Sequence, residues 1–253
     1  MTTRTSILAL LCAAALATGC EENAVQDITE PSPGEARVKF FNFGVSSPGV
    51  NFYANDKKMT AITSATGVES TNGVAYGSAG SGGLYMALDP GQYTLAGKIA
   101  ATTDKDLAIS GVTATLEAGK YYSFYQSGLY NTTTKKSDAF VVEDPFLADF
   151  DYTAAYVRFV NSIYNANPMT LYAKNTVTSA EVAVGGSMAY KAAGAFVAVP
   201  NGIYDLGARY AGVTTNAISR TAVSFSAGRV YTITARGDIL TSSTLFLDNT
   251  TNR

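Results

Sequence analysis

The stretch Ala36-Arg-Val-Lys-Phe-Phe-Asn42 returns later in the chain as Ala155-Tyr-Val-Arg-Phe-Val-Asn161. In the first of these, Val38, Phe40 and Asn42 alternate with Lys39, Phe41 and Phe43, a period of two residues. Successive side chains of an extended strand point to opposite faces, so the pattern reads as a half-buried β-strand. β-branched and aromatic residues fill it, and Gly, Pro, Asn and Asp punctuate the residues after it, as in antiparallel strands joined by turns. Tyr231-Thr-Ile-Thr-Ala235 alternates in the same way.

The repetition extends beyond the opening strand. A turn containing proline (Pro48, Pro168) leads in each case to a similar strand, Val50-Asn-Phe-Tyr-Ala-Asn55 and Met169-Thr-Leu-Tyr-Ala-Lys174. Ala75-Tyr76 matches Ala189-Tyr190, and Leu88-Asp-Pro-Gly-Gln-Tyr-Thr-Leu95 matches Val199-Pro-Asn-Gly-Ile-Tyr-Asp-Leu206. Leu116-Glu-Ala-Gly-Lys-Tyr-Tyr-Ser123 then matches Phe225-Ser-Ala-Gly-Arg-Val-Tyr-Thr232. Blocks repeated in one order mark a duplicated unit. The offset shrinks from 119 residues (Val38 to Val157) to 109 (Gly119 to Gly228), so the first copy carries insertions. One lies around residues 77–83, whose glycines and serines read as a flexible loop. Each copy has about 100 residues, the size of one β-sandwich domain. Beyond the first twenty residues no segment has the length and pattern of an amphipathic helix. The expected fold is all-β, with two tandem immunoglobulin-like, Greek-key β-sandwich domains at 35–147 and 153–250 and a linker at 148–152.

Tyr93 and Tyr204 each stand two residues after a turn glycine, Gly91 or Gly202. In Greek-key sandwiches a tyrosine so placed reaches back to the backbone upstream and pins the crossover between sheets. A tyrosine corner is the simpler reading of both, ahead of a binding role.

The chain opens with one positive charge, Arg4, before the apolar run Ile7-Leu-Ala-Leu-Leu-Cys-Ala-Ala-Ala-Leu-Ala17. Such a run is too short to span a bilayer, which needs about 20 apolar residues, and it has secretory length. It closes with Leu16-Ala-Thr-Gly-Cys20, which resembles the lipobox of bacterial lipoproteins. That resemblance implies a signal peptide at 1–19, removed to leave Cys20 as a lipid-bearing N-terminus, and a flexible tether at 20–34. Several acyl chains on one residue, at about 0.8 kcal/mol per buried CH₂, would make the anchor stable. Glu21 and Glu22 directly after it resemble the surface-export signal of Bacteroidetes lipoproteins.

Composition narrows the function classes. Hydrophobic residues make up 47% and charged residues 15% of 253, enough for one large domain or two ordinary ones. Both cysteines, Cys12 and Cys20, fall in the leader, so the mature fold holds no disulfide of its own. With 18 basic and 20 acidic residues and no basic run, nucleic acid is not an expected partner. Histidine is absent, which removes Ser-His-Asp and Cys-His nucleophile arrangements and imidazole metal sites. No catalytic, cofactor or metal residue is expected; the one site residue is Cys20, for lipid attachment.

Three further features could be taken for sites. Glu143, Asp144, Asp149 and Asp151 cluster between the copies, where Ca²⁺ favours carboxylate oxygens, but the spacing lacks a glycine-centred calcium loop and a solvated linker is the simpler reading. Asp104-Lys-Asp106 reads as a hairpin turn. Tyr121-Tyr-Ser-Phe-Tyr125 and Tyr130 put rings on both faces of one strand, one face expected toward solvent, where rings stack on sugars or partner proteins.

Taken together, paired copies that begin Ala-x-Val-[Lys/Arg]-Phe-x-Asn and carry the Pro-Gly-x-Tyr and Ala-Gly-[Lys/Arg]-x-Tyr turns resemble the DUF4397 domains of bacterial envelope lipoproteins over residues 36–250. Relatives often end the first strand in Val-His-Ala-Ser-Pro; here Phe41-Asn-Phe-Gly44 and Val160-Asn-Ser-Ile163 stand there, without histidine. The expected protein is a non-catalytic lipoprotein held by its lipid on the outer membrane, facing periplasm or cell surface. It would bind an envelope protein or a polysaccharide, the latter as an accessory to nutrient uptake.

Overall fold

The alternating segments of the sequence do form strands, and the computed structural model describes them over residues 34–61, 67–145 and 149–252. The leader, with Cys12 and Cys20, lies outside the described residues, as do 146–148 of the connection between copies. The first copy contains β1 (Ala36–Asn42), β2 (Val50–Ala54), β3 (Lys57–Lys58), β4 (Ser78–Ala79), β5 (Met86–Leu88), β6 (Gly91–Ile99), β7 (Ala108–Leu116), β8 (Tyr121–Asn131) and β9 (Lys136–Glu143). The second contains β10 (Ala154–Asn161), β11 (Met169–Asn175), β12 (Glu181–Met188), β13 (Val197–Pro200), β14 (Gly202–Tyr210), β15 (Ile218–Phe225), β16 (Val230–Asp238) and β17 (Thr241–Thr251). No α-helix occurs among the described residues.

These strands form four small sheets, two per copy, with the same connectivity in each. In the first copy β3-β2-β6-β7 faces β4-β1-β8-β9, with β5 also on β1; in the second, β12-β11-β14-β15 faces β13-β10-β16-β17. The expectation of antiparallel strands needs one correction. The first strand of each copy lies parallel to the penultimate full strand, β1 beside β8 and β10 beside β16. Ends distant in sequence meet, and that pairing closes each copy.

Each facing pair of sheets encloses its own core. In the first copy Val38, Phe40, Phe52, Leu95, Ile109 and Phe124 are fully buried, with Phe40 stacked on Phe52 at 5.3 Å. In the second, Val157, Phe159, Leu171, Ala208, Ile233 and Leu247 do the same. Side chains of this size contribute about 1.5–3 kcal/mol each when fully buried, so the inward faces account for separate cores.

Local hydrogen bonds repeat with the sequence. Asn42 and Asn161, each 0% exposed at the end of the opening strand, accept from the backbone N–H two residues on, Gly44 at 3.3 Å and Ile163 at 3.0 Å. Their amides donate to Val74 O (2.8 Å) and Met188 O (3.0 Å). The Tyr122 and Tyr231 hydroxyls each accept a backbone N–H five residues upstream, from Glu117 and Ser226, both at 3.1 Å. Between Leu116 and Tyr122, and between Phe225 and Tyr231, Gly119 and Gly228 both take φ +72°, a left-handed turn suited to glycine.

Residues 77–83 depart from the loop expected of them. Ser78 and Ala79 pair with β1 opposite Asn42 and Phe41, and a 3₁₀ turn over Gly80–Gly83 packs beneath, with Gly80 buried. A Cβ at Gly80 would come within 2.6 Å of Thr60 Cγ2, so the glycine permits close packing there.

Candidate functional site

Only one face of β1 and β10 looks into a core, yet both faces are buried. The second face is covered by the other copy. Lys39 and Arg158, 119 residues apart and so at one repeat position, each reach across to a backbone carbonyl of the other copy. Lys39 Nζ donates to Thr251 O at 2.6 Å, and the Arg158 guanidinium donates to Glu143 O at 2.8 Å. Thr251 and Glu143 occupy matching places, paired with Tyr231 and Tyr122 in their own sheets. Contacts reciprocal in this way define an isologous interface, here between two halves of one chain.

The surrounding groups repeat the relation. Lys39 lies over the Tyr85 ring at 4.2 Å and Arg158 over Phe196 at 4.9 Å. Ser123 Oγ donates to Asp144 at 2.7 Å, and Thr232 Oγ1 donates to Asn252 at 2.9 Å. The symmetry breaks at one place: Asp144 is a carboxylate where Asn252 is an amide. Arg158 forms a buried ion pair with Asp144, both side chains at most 2% exposed. The Tyr85 hydroxyl donates to Asp144 at 2.7 Å and accepts from the Asn252 amide at 3.1 Å.

One buried carboxylate therefore serves two buried cations. Burial lowers the Lys39 ammonium to about 8, the negative charge of Asp144 opposing that shift and Arg158 adding to it. The Tyr85 hydroxyl is pushed up, first by burial and then by Asp144, so it stays a donor.

Beyond the ionic seam the same strands run into an apolar patch. Phe41, Phe43, Tyr125, Phe140 and Val142 of the first copy meet Val160 of the second. Tyr125 is sandwiched between Phe41 at 4.8 Å and Phe140 at 4.9 Å, its hydroxyl 3.4 Å from Thr234 Oγ1. Burial pushes that hydroxyl up to about 12. The repeat pair Tyr76 and Tyr190 flanks the patch. Tyr76 donates to Thr244 O at 2.9 Å and packs against Arg236, while Tyr190 donates to Asp138 at 3.1 Å and meets Ser127, the repeat counterpart of Arg236, at 2.7 Å.

Tyr93 and Tyr204 are tyrosine corners, as their spacing predicts: their hydroxyls donate to Asp89 O at 3.0 Å and Pro200 O at 2.7 Å. Asp104 and Asp106, both at positive φ, lie in the β6–β7 turn. The acidic linker requires correction at one residue: Glu143, Asp149 and Asp151 are exposed as a solvated linker would have them, but Asp144 is buried. Asp144 is in the seam, Glu143 pairs with Lys120, and Asp151 caps Thr153. Among the described residues no group of three or more His, Cys, Asp or Glu could hold a metal ion. The aromatic strand is corrected in its middle: Tyr122 at 6%, Phe124 at 0% and Tyr125 at 1% exposure are buried on both faces, because the second copy covers the outer one, while Tyr121 and Tyr130 toward its ends are half-buried. Sequence reasoning misses the seam itself, although Lys39 and Arg158 at one repeat position within apolar strands are its visible sign.

Fold and site define an all-β tandem repeat whose halves are joined face to face by an ionic and aromatic seam. Residues 155–253 match the family model described as Domain of unknown function (DUF4397), and this segment is one DUF4397 domain. Among curated proteins none matches the chain. One solved structure it matches is the Bacillus anthracis TIE protein, at 14% identity and a TM-score of 0.26, covering 81% of this chain and 34% of that one. The chain thus spans about a third of that protein's length, and a likeness at that score carries no argument. No helix of the described residues is long and apolar enough to cross a membrane.

Proposed function

We propose that this protein is a non-catalytic cell-envelope lipoprotein: two immunoglobulin-like, DUF4397-like sandwiches fused into one rigid interaction module and anchored through Cys20 at the outer membrane. The observation that carries this reading is the direction of the strands. β1 runs from Lys39 in the ionic seam to Phe41 in the apolar patch, and β10 runs likewise from Arg158 to Val160. Both copies therefore point the same way, with the loops at 43–49, 100–107 and 132–135 and those at 162–168, 211–217 and 239–240 at the end away from Ala36. A tether entering at Ala36 would present all six loops outward, and sandwich loops at one end are suited to binding.

A polysaccharide-binding accessory of nutrient uptake is the second reading, but Tyr122, Phe124 and Tyr125 belong to buried packing and offer it no stacking platform. Two experiments test the proposal. Labelled palmitate should enter the wild-type chain and be lost in Cys20→Ala; unchanged labelling rejects the anchor. Crosslinking on intact cells and mass spectrometry of the captured material should then yield a defined envelope protein, whereas capture of glycan alone would transfer the case to the second reading.

A further inference from the structure

A sheet edge presents unpaired backbone N–H and C=O groups, and proteins ordinarily blunt such edges with charge, proline, bulges or short strands. The described edges here obey that rule, with one exception. β3, β4 and β5 have two or three residues, and β13 has four and ends in Pro200. β9 carries Lys136, Asp138 and Glu143, and β17 carries Asp248 and a register shift. β12 holds Glu181 and the left-handed Gly185, and β15 holds Arg220 and Ala222 at φ +56°.

β7, Ala-Ile-Ser-Gly-Val-Thr-Ala-Thr-Leu, is nine residues long with no charge and no proline. Its register with β6 is regular from Gly97↔Ser110 to Gly91↔Leu116. Lys136 Nζ donates to Ala108 O at 2.7 Å and so covers only the start of the strand. From Gly111 onward no described strand pairs with this edge. Gly111, Thr113 and Thr115 are exposed, Val112 and Ala114 are only partly buried at the margin of the core, and a groove of about 500 Å³ lined by Thr94, Ala96, Gly111, Val112 and Thr113 runs alongside.

We propose that this edge pairs with the β7 edge of a second copy of the chain, antiparallel about a two-fold axis at Thr113. In that register Val112 faces Ala114 of the other chain, Gly111 faces Thr115, and Thr113 meets its own counterpart beside the cross-strand contact between Thr94 and Thr113 at 3.4 Å. The side chains are small, no like charges meet, and the pairing extends β3-β2-β6-β7 into one continuous sheet across the dimer while covering Val112 and Ala114. An unrelated extended peptide could use the same hydrogen bonds; identical, uncharged, self-complementary strands favour the second copy.

The test uses the full chain carrying Cys12→Ser and Cys20→Ser. Paired residues in antiparallel strands lie about 4.5–5.5 Å apart, within disulfide reach, so adding Thr113→Cys should give a covalent dimer on mild oxidation. Ser219→Cys, on the exposed face of the blunted β15 edge, should not. In sedimentation the thiol-free chain should be dimeric, and Thr113→Lys, placing like charges opposite each other, should weaken the dimer by about tenfold or more. A Thr113→Cys chain that stays monomeric, equal crosslinking through Ser219→Cys, or a dimer indifferent to Thr113→Lys would each overturn the proposal.

Discussion

Lys39 carries a penalty that its pH dependence should reveal. Its amine titrates at about 8 in the fold, against an ordinary 10.5. Below pH 8 both folded and unfolded chains hold the proton and the burial penalty is complete. Between pH 8 and 10.5 the unfolded chain holds more protons, so stability should rise with pH, by about 3 kcal/mol at most over that window. Urea unfolding of wild type at pH 7.5 and pH 9, below the range where the raised Tyr85 and Tyr125 hydroxyls act in the opposite direction, should show part of this increase, and Lys39→Met should abolish it. Asp144 is the opposite case, because removing it leaves Arg158 buried without a counter-charge. Asp144→Ala is expected to cost about 3–5 kcal/mol; a cost below about 1 kcal/mol would show that water reaches the seam.

At the scale of the element, the tyrosine corners and the strand-end asparagines hold the crossovers. Tyr204 is buried and Tyr93 is half-exposed, though their hydroxyls make the same bond. Tyr204→Phe should therefore cost about 0.5–1.5 kcal/mol and Tyr93→Phe less, read from denaturation midpoints of the two variants side by side. Asn42→Ala and Asn161→Ala unpair buried backbone groups at equivalent turns, so each should cost about 1–3 kcal/mol. A difference greater than twofold between them would mean that the repeat does not extend to these turns. Much of this level was legible in the sequence. The spacing from turn glycine to tyrosine, the matched blocks and the period-two segments are local, and local rules govern them. The same rules failed at residues 77–83, where glycine and serine suggested a free loop, because nothing local shows that Gly80 lets the backbone settle against Thr60.

Across the whole molecule, the seam makes two cores into one cooperative body. Each half buries its own apolar residues, but Lys39, Arg158 and Asp144 tolerate burial only while the copies remain together. Calorimetry should give a single transition for the wild type. Asp144→Ala should separate it into two or lower it as a whole, and an unchanged single peak would show that the halves are coupled elsewhere.

The sequence by itself determined the strands, the duplication, the corners and the absence of histidine chemistry, because side-chain period, turn residues and composition are properties of neighbouring residues. Tertiary structure decided which face of a strand met water. The rings around Tyr125 and the charges of Lys39 and Asp144 look like surface groups when read along the chain. They are buried because the second copy packs on the first, and the free energy of that contact depends on residues far apart in the chain, such as Lys39 and Thr251, which no local pattern connects.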